Sequence, residues 1–163
     1  MKKLFFAFFF LVTCSGIAAQ LKAKSSCPPF NVDVLDGRVD ILLPSSTNGE
    51  VKGRFPCFTS TQDESNTTGC GGNVMYNDKD IYFYTGRDYI EIREKFKGKL
   101  SLPLMGAARN SLFKLLGLPK IKDTGWDAFQ TAYGTLILYY NKNAKVNKIQ
   151  MSTKSTASIQ LCE

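Results

Sequence analysis

The chain has 163 residues, of which 44% are hydrophobic and 21% charged, and its formal net charge is +7. This composition is typical of one globular domain and excludes a disordered, collagen-like or low-complexity chain. Histidine is absent, which excludes serine–histidine triads, histidine-ligated zinc and histidine proton shuttles. We therefore expect a compact fold whose function does not rest on histidine chemistry.

The excess of positive charge is spread along the chain. Lys142, Lys145 and Lys148 alternate with asparagines, and the basic residues of 93–99 alternate with glutamate, phenylalanine and glycine. The sequence has no dense basic block and no nucleic-acid motif. We expect a solvated cationic surface and no nucleic-acid partner.

The first residues have the pattern of a secretory signal peptide. Two lysines precede the apolar run 4–12, and small residues follow as far as Ala19. A membrane-spanning helix needs roughly 20 apolar residues, which is about twice the length of this run. The sequence therefore predicts cleavage after Ala19 and a periplasmic or secreted location in a bacterium.

A lipoprotein signal is the alternative interpretation of the same segment. Residues 11–13 and Cys14 resemble a lipoprotein box, although Thr13 is an untypical residue before the acylated cysteine. Acylation of Cys14 would make the protein an outer-membrane lipoprotein, and only in that case do we expect a membrane contact.

Four cysteines remain after cleavage, and an even number in an exported protein predicts two disulfides with three possible connectivities. We expect Cys57–Cys70, which would close the polar loop between them, and Cys27–Cys162, which would hold the two ends of the mature chain. A zinc site built from all four thiolates would need close CxxC pairs, which the sequence lacks. We therefore expect no metal and no cofactor.

The mature chain has the pattern of two similar units. A lead-in over 20–36 precedes a first unit over 37–97 and a second over 98–163, within one globular domain. Each unit has a strand, a short helix ended by proline or glycine, and three strands separated by turn residues. In chain order, the first unit has a strand at 39–43, a helix at 49–55 and strands at 72–76, 80–85 and 88–93. The second has a strand at 100–104, a helix from 106–109 to Leu116, and strands at 128–133, 135–140 and 146–151. The predicted fold class is α+β, with tandem β-α-β-β-β repeats forming one antiparallel sheet and the helices on one face.

The alternation of side chains along the strands predicts one open face on this sheet. Ile81 and Phe83 point to one side, while Tyr82 and Tyr84 point to the other. Ile137 and Tyr139 alternate with leucines in the same way. Because tyrosine is enriched at interfaces, the face opposite the helices is a candidate binding surface. The alternatives are that the tyrosines cover the sheet without a partner, or that the two faces are reversed.

Two further features could add to such a surface. Asp78 and Asp80 lie in a predicted hairpin turn that could project into a cleft of a partner, as an energetic centre flanked by Tyr76 and Tyr82. Trp126, the single tryptophan, is either a plug under the second helix or a partly exposed anchor after the turn 123–125. The candidate partner-binding residues are therefore Tyr76, Asp78, Asp80, Tyr82, Tyr84, Trp126 and Tyr139.

Several motifs of the second unit resemble a known exported module. They are LLGLP (115–119), Trp126, YGTLILYY (133–140) and KVNKI (145–149). This order resembles the β-lactamase-inhibitor-protein-like fold and the small outer-membrane assembly lipoproteins of the BamE type, over roughly residues 37–152. The tandem form, with a disulfide placed like Cys57/Cys70, is closer to the inhibitor proteins.

The resemblance implies a protein that binds other proteins across a concave sheet and its hairpin loops without catalysis. The sequence departs from the pattern of the inhibitor proteins in two ways. The second unit lacks an internal cysteine pair, and no inhibitory loop aligns residue by residue. Inhibition of a β-lactamase is therefore not implied.

The leading hypothesis is a non-enzymatic exported module that binds an unknown protein of the cell envelope or outside the cell. Its role would be that of an inhibitor, an immunity protein or an envelope-assembly accessory. The alternative is a membrane-tethered lipoprotein with a structural or lipid-surface role. A hydrolase using carboxylates is disfavoured, because the sequence has neither histidine nor a paired-acid motif.

Overall fold

A computed structural model describes residues 27–65 and 70–162. The predicted signal peptide (1–19) and Cys14 lie outside these residues. In the two described ranges, no helix has the length and apolar character needed to cross a bilayer. The described residues form an α+β fold with two sheets and two α-helices.

The elements follow the chain in this order: β1 (Asn31–Asp33), β2 (Arg38–Val39), α1 (Asn48–Arg54), β3 (Ser60–Gln62), β4 (Asn73–Tyr76), β5 (Ile81–Tyr84), a 3-10 turn (Thr85–Arg87), β6 (Tyr89–Arg93), β7 (Lys99–Leu100), α2 (Arg109–Leu116), β8 (Ile121–Lys122), β9 (Trp126–Gln130), β10 (Thr135–Tyr140) and β11 (Val146–Ser152). The six long strands and both helices agree with the sequence-based prediction to within a few residues. Strands β1, β3 and β8 were not predicted.

The larger sheet has eight antiparallel strands in the order β3-β4-β5-β6-β11-β10-β9-β8. Each group of four strands follows one helix in the chain: β3 to β6 follow α1, and β8 to β11 follow α2. Strands β6 and β11 join the two groups, with Tyr89 opposite Ser152 and Arg93 opposite Lys148.

The prediction of a single antiparallel sheet is wrong for the segments that precede each helix. They form a separate three-stranded sheet in the order β2-β1-β7, in which β1 and β7 are parallel. The predicted strand 39–43 instead forms a tight turn. The backbones of Val39 and Leu42 hydrogen-bond to each other across it, and Asp40 within the turn has a φ of 56°. The chain therefore has too few extended residues there to join the larger sheet.

Both helices have the ends that their sequences specify. Thr47 caps α1: the amide of Glu50 donates to its hydroxyl, and Glu50 accepts from its backbone amide (2.8 Å). Helix α2 ends at Gly117, whose φ of 77° suits glycine better than other residues.

An aromatic cluster fills the core between α1 and the larger sheet. The rings of Phe30 and Phe55 stack with their centroids 4.2 Å apart, and Tyr76 meets both rings edge-on. The Tyr76 hydroxyl donates to the Phe55 carbonyl (2.7 Å). These residues belong to one core cluster with Phe83 and with Leu112 of α2. We call the sheet face that carries Tyr76 and Phe83 the inner face, and its opposite the outer face.

The two disulfides join Cys27 to Cys57 and Cys70 to Cys162. Two bridges were predicted correctly, but the pairing was wrong. The stacking of Phe30 on Phe55 brings the segment of Cys27 beside the residue that follows α1, so Cys27 lies next to Cys57. Disulfides are typical of an oxidising, non-cytoplasmic compartment.

A buried ion pair attaches α2 to the larger sheet. Arg109 forms a bidentate contact with Asp127 of β9, which is completely buried. The Tyr140 hydroxyl donates to the same carboxylate (2.8 Å), and the Arg109 guanidinium lies 4.8 Å from the Tyr140 ring centroid. The hydrogen bond to Asp127 raises the pKa of Arg109. This cluster ties the first residue of α2 to two neighbouring strands.

The disulfide pairing gives a direct test. Digestion of the non-reduced protein should release peptides that join Cys27 to Cys57 and Cys70 to Cys162, as identified by mass spectrometry. The bridges close 30 and 92 residues, so loop entropy predicts contributions of about 3.5 and about 4.5 kcal/mol to the free energy of unfolding. In urea unfolding, a Cys70→Ser/Cys162→Ser variant should lose about 4.5 kcal/mol of the free energy of unfolding. Peptides joining Cys57 to Cys70 would contradict the structure.

The Asp127 cluster gives a second test. Asp127→Asn leaves the Arg109 guanidinium without a buried counter-charge, and the free energy of unfolding should fall by about 3 kcal/mol. The matched control is Asp36→Asn, since Asp36 pairs with Arg38 at the surface, with side chains 59% and 48% exposed. The control should cost less than about 1 kcal/mol. Equal losses in urea unfolding would show that Asp127 is not a structural anchor.

Candidate functional site

The outer face is the candidate site, because strand alternation places most of the predicted binding residues there. Tyr82 and Glu91 face each other across β5 and β6, and Lys148 faces Tyr139 across β11 and β10. At one end of the sheet lie the turns 77–80, 123–125 and 141–145, and we call it the Asp80 end. The opposite end carries the turn 85–88, and we call it the Asp88 end.

The Asp88 end of the outer face is covered by the chain itself. After β11 the chain continues as an irregular segment over 153–162, which we call the strap. The amide of Thr156 donates to Gln130 (3.1 Å), and the amide of Cys162 donates to the Tyr89 hydroxyl (3.3 Å). The disulfide to Cys70 fixes the strap at its end. The face predicted to be open is therefore partly occupied.

A groove remains between the strap and the sheet. Its floor is Ala128 and Ile137, which are 1% and 2% exposed, and its volume is about 400 Å³. Trp126 and Tyr139 form the wall toward the Asp80 end. The lining residues are Ile121, Trp126, Ala128, Ile137, Tyr139, Thr156, Ile159, Leu161 and Cys162. The groove is mainly apolar and open to solvent.

Beside the groove, aromatic rings and cations form a row along the Asp80 end of the outer face. The Arg93 guanidinium lies 4.3 Å from the Tyr82 ring centroid, and the Lys148 ammonium lies 3.9 Å from that of Tyr139. Trp126 follows Tyr139 at a centroid distance of 6.5 Å. We call these five residues the aromatic–cation row. Cations held over rings at such distances interact favourably with the π-electrons.

A buried carboxylate organises this row. Glu91 is 4% exposed; it accepts from Arg93 Nε (2.5 Å) and from Gln150 Nε2 (2.6 Å). The Lys148 ammonium lies 3.7 Å from the second oxygen of Glu91. Gln150 also accepts from the Tyr139 hydroxyl (2.9 Å). Glu91 thus holds two adjacent cations and, through Gln150, one of the rings.

Burial changes the ionisation of the tyrosines on this face. Desolvation, with a smaller effect of the Glu91 charge, raises the pKa of Tyr139 to about 12. Desolvation also raises the pKa of Tyr82, and the hydrogen bond to Asp80 adds to this effect. The phenols of the row therefore keep their protons to a higher pH than an exposed tyrosine does.

The two acidic candidates differ in their roles. Asp78 lies at the tip of the turn 77–80, with its side chain 53% exposed and paired with Lys79. Asp80 accepts from the Tyr82 hydroxyl (2.9 Å) and from the Lys95 amide (2.8 Å). Asp80 therefore holds the turn in place, while Asp78 is available at the surface.

Of three predicted tyrosines, one lies on the other face of the sheet and two are largely covered on the predicted face. Tyr76 lies opposite Ile81 on the inner face and is fully buried, so it does not contribute to the surface where the sequence placed it. Tyr82 is on the predicted face but only 7% exposed, because Arg93 lies over its ring. The ring of Tyr84 stacks on that of Tyr89 beside the strap, with the ring centroids 4.4 Å apart. Trp126 is half-buried at the start of β9, which agrees with the partly exposed alternative.

Sequence reasoning missed Glu91, Arg93 and Lys148. The sequence pattern predicts a scattered cationic surface, whereas the pairing of β6 with β11 brings Arg93 and Lys148 together. The alternation in β6, which places Glu91 and Arg93 on one side and Ile90 and Ile92 on the other, was the available signal. No local sequence pattern predicts that the strap covers the outer face, because the strap contacts residues that are distant in the chain.

The cysteines and acidic residues of the described ranges do not form a metal site. All four cysteines in these ranges form disulfides, and in 27–65 and 70–162 no three His, Cys, Asp or Glu side chains are grouped to hold a metal ion. No protein-family model, curated protein or solved structure gives a significant match to this chain. Function must therefore be inferred from the geometry of the outer face.

Tyrosine titration tests the burial of these rings. Desolvation raises the pKa of all seven tyrosines of the chain, whereas unfolded tyrosines ionise near about pH 10. The folded state thus retains protons that the unfolded state loses, so the free energy of unfolding should fall as the pH rises above about 10. Tyrosinate absorbance of the native protein should rise together with loss of near-UV circular dichroism. A tyrosine that ionises reversibly near pH 10 in the native protein would contradict this burial.

Proposed function

We propose that this chain is an exported, non-enzymatic protein-binding module that contacts its partner with the Asp80 end of the outer face. The aromatic–cation row carries this proposal. It combines Tyr, Trp and Arg, the residue types most enriched at the energetic centres of protein interfaces. The row lies beside the groove and next to the three turns of the Asp80 end. A partner could therefore contact the row, the groove and the turns together.

The row is already ordered before any partner binds. Its side chains project from strands β5, β6, β9, β10 and β11. Glu91 accepts a hydrogen bond from Arg93, and Gln150, itself bonded to Glu91, accepts one from Tyr139. A preordered surface loses less side-chain entropy on association than a mobile one. The geometry therefore favours recognition of a surface over chemistry on a bound substrate.

We infer that the two groups of elements are a tandem of related units with both helices on the inner face. The succession of one helix and four strands in each half supports this inference, as do the contacts of α1 with Tyr76 and of α2 with Asp127. With this arrangement we extend the proposal to the β-lactamase-inhibitor-protein-like fold, which the sequence motifs resemble. In proteins of that fold the sheet and its hairpin loops bind other proteins, which suggests the same use here.

The periplasm or the exterior of a bacterial cell is the proposed location. The two disulfides and the signal-like residues 1–19 both support it. The partner would then be a protein of the cell envelope or of the surroundings.

Variants of the row test the proposal. Trp126→Ala and Tyr139→Ala should each weaken capture of the partner from extracts of the producing cell, and the dissociation constant of the purified partner should rise about 30-fold. Quantitative mass spectrometry of captured proteins and calorimetry on the purified partner measure these effects.

The control for this experiment is Ile41→Ala, since Ile41 is 76% exposed on the turn after β2, outside the outer face. It should bind like the natural sequence. Thermal unfolding of each variant checks that folding is retained. If well-folded Trp126→Ala and Tyr139→Ala chains retain the partner as the control does, the outer face is not the binding surface.

A further inference from the structure

The chemistry of the partner can be inferred from the two hollows that meet at Tyr139; this inference rests on the proposed function. We propose that the partner presents an apolar side chain flanked by a carboxylate. The apolar side chain enters the groove beside Trp126, and the carboxylate binds the Lys148 ammonium and the Arg93 guanidinium.

The groove determines the apolar part of the ligand. Its volume of about 400 Å³ accommodates one or two side chains of a peptide, and a half-buried indole forms one wall. Ile159 and Leu161 of the strap form the opposite wall, and the Cys70–Cys162 disulfide holds them there. A large aliphatic or aromatic side chain in this space would remove apolar surface from water on both sides.

A second hollow beyond Tyr139 determines the charged part. It has a volume of about 520 Å³ and is lined by Asp80, Arg93, Glu94, Lys95, Tyr139, Tyr140, Asn147 and Lys148. Lys148 and Arg93 are directly opposite each other on β11 and β6, with side chains 31% and 48% exposed. These two cations share the single buried negative charge of Glu91, so one positive charge remains to attract an anion from solvent.

The carboxylates near this hollow are largely engaged already. Both oxygens of Asp80 accept hydrogen bonds, from Tyr82 and from the Lys95 amide. Glu91 is buried beneath the cations and accepts from Arg93 and Gln150. At 3.7 Å from Glu91, the Lys148 ammonium is too distant for a direct hydrogen bond, so its donors remain available to a ligand. Glu94 is the exposed acid of the rim and would oppose an acidic ligand.

Tyr139 fixes the relation between the two parts. Its side chain lines both hollows, so the apolar and the charged positions lie on the two sides of a single ring. Adjacent or nearly adjacent residues of an extended segment can occupy both. The predicted recognition element is therefore a short apolar–acidic sequence on an exposed loop or terminus of the partner protein.

A display library of random linear peptides is the probe for this inference. It is selected against the natural chain with both disulfides formed, and selected peptides are synthesised and titrated. Trp126 is the single tryptophan, so its fluorescence reports binding in the groove directly. We expect enrichment of peptides that place Asp or Glu beside a large apolar residue.

Charge variants make the result specific. Lys148→Gln should weaken binding of the selected peptides about fivefold, whereas Glu94→Gln should strengthen it by a similar factor. Lys114→Gln on the exposed side of α2 is the matched control and should change nothing. Raising the ionic strength should weaken binding to the natural chain and have less effect on Lys148→Gln.

The outcomes separate this inference from the proposed function. Three results would overturn the inference about the partner's chemistry. The selected peptides could lack acidic residues, their affinity could be unchanged by Lys148→Gln and by salt, or the library could yield no peptide that changes Trp126 fluorescence. If the natural partner also binds Lys148→Gln with unchanged affinity but loses affinity for Tyr139→Ala, the acidic–apolar inference fails and the proposed function stands. If Tyr139→Ala retains full affinity, both fail.

Discussion

A sheet with apolar side chains on both faces must cover both of them, and the architecture of this protein follows from that constraint. The inner face receives the rings of Phe30 and Phe55, which belong to the main core cluster, while the outer face receives the strap. Both covering segments, 27–30 and 153–162, are irregular and make few backbone hydrogen bonds of their own. Each is attached to the rest of the fold by one disulfide, at the position where sheet hydrogen bonding does not hold it.

The two faces also bury one carboxylate each, and both are surrounded in a similar way. Asp127 binds Arg109, which lies over a tyrosine ring, and Glu91 binds Arg93, which lies over another. Buried ion pairs of this kind contribute little net stability because the charges lose their hydration. Their main effect is positional: Asp127 sets where α2 begins, and Glu91 sets the spacing of the cations on the outer face.

The sequence was sufficient to predict the long strands but not the short ones. In β5, β6 and β10, alternating side chains and flanking turn residues specify both the extent and the facing of the strand. Strands β1, β3 and β8 have two or three residues each and exist only because a partner strand lies beside them. The disulfide pairing depended on the stacking of Phe30 on Phe55, a contact between distant residues that no local pattern encodes. Tyr76 was misplaced because its side of the sheet is set by its pairing with Ile81 across the turn 77–80, and not by its nearness to Asp78 in the chain.

The same distinction between local and distant contacts explains which parts of the candidate site could be predicted. The tyrosines and Trp126 were found because alternation within a strand reveals them. The strap and the paired cations depend on β6 lying beside β11, which joins residues more than 50 positions apart. That pairing also divides the outer face. Toward the Asp88 end, Tyr89 and Ser152 lie near the strap, and toward the Asp80 end Arg93 and Lys148 remain accessible. Because the strap covers part of the apolar surface, the area left for a partner combines a narrow groove with the row where rings and charges alternate. Such a mixed surface favours selective binding over nonspecific adhesion.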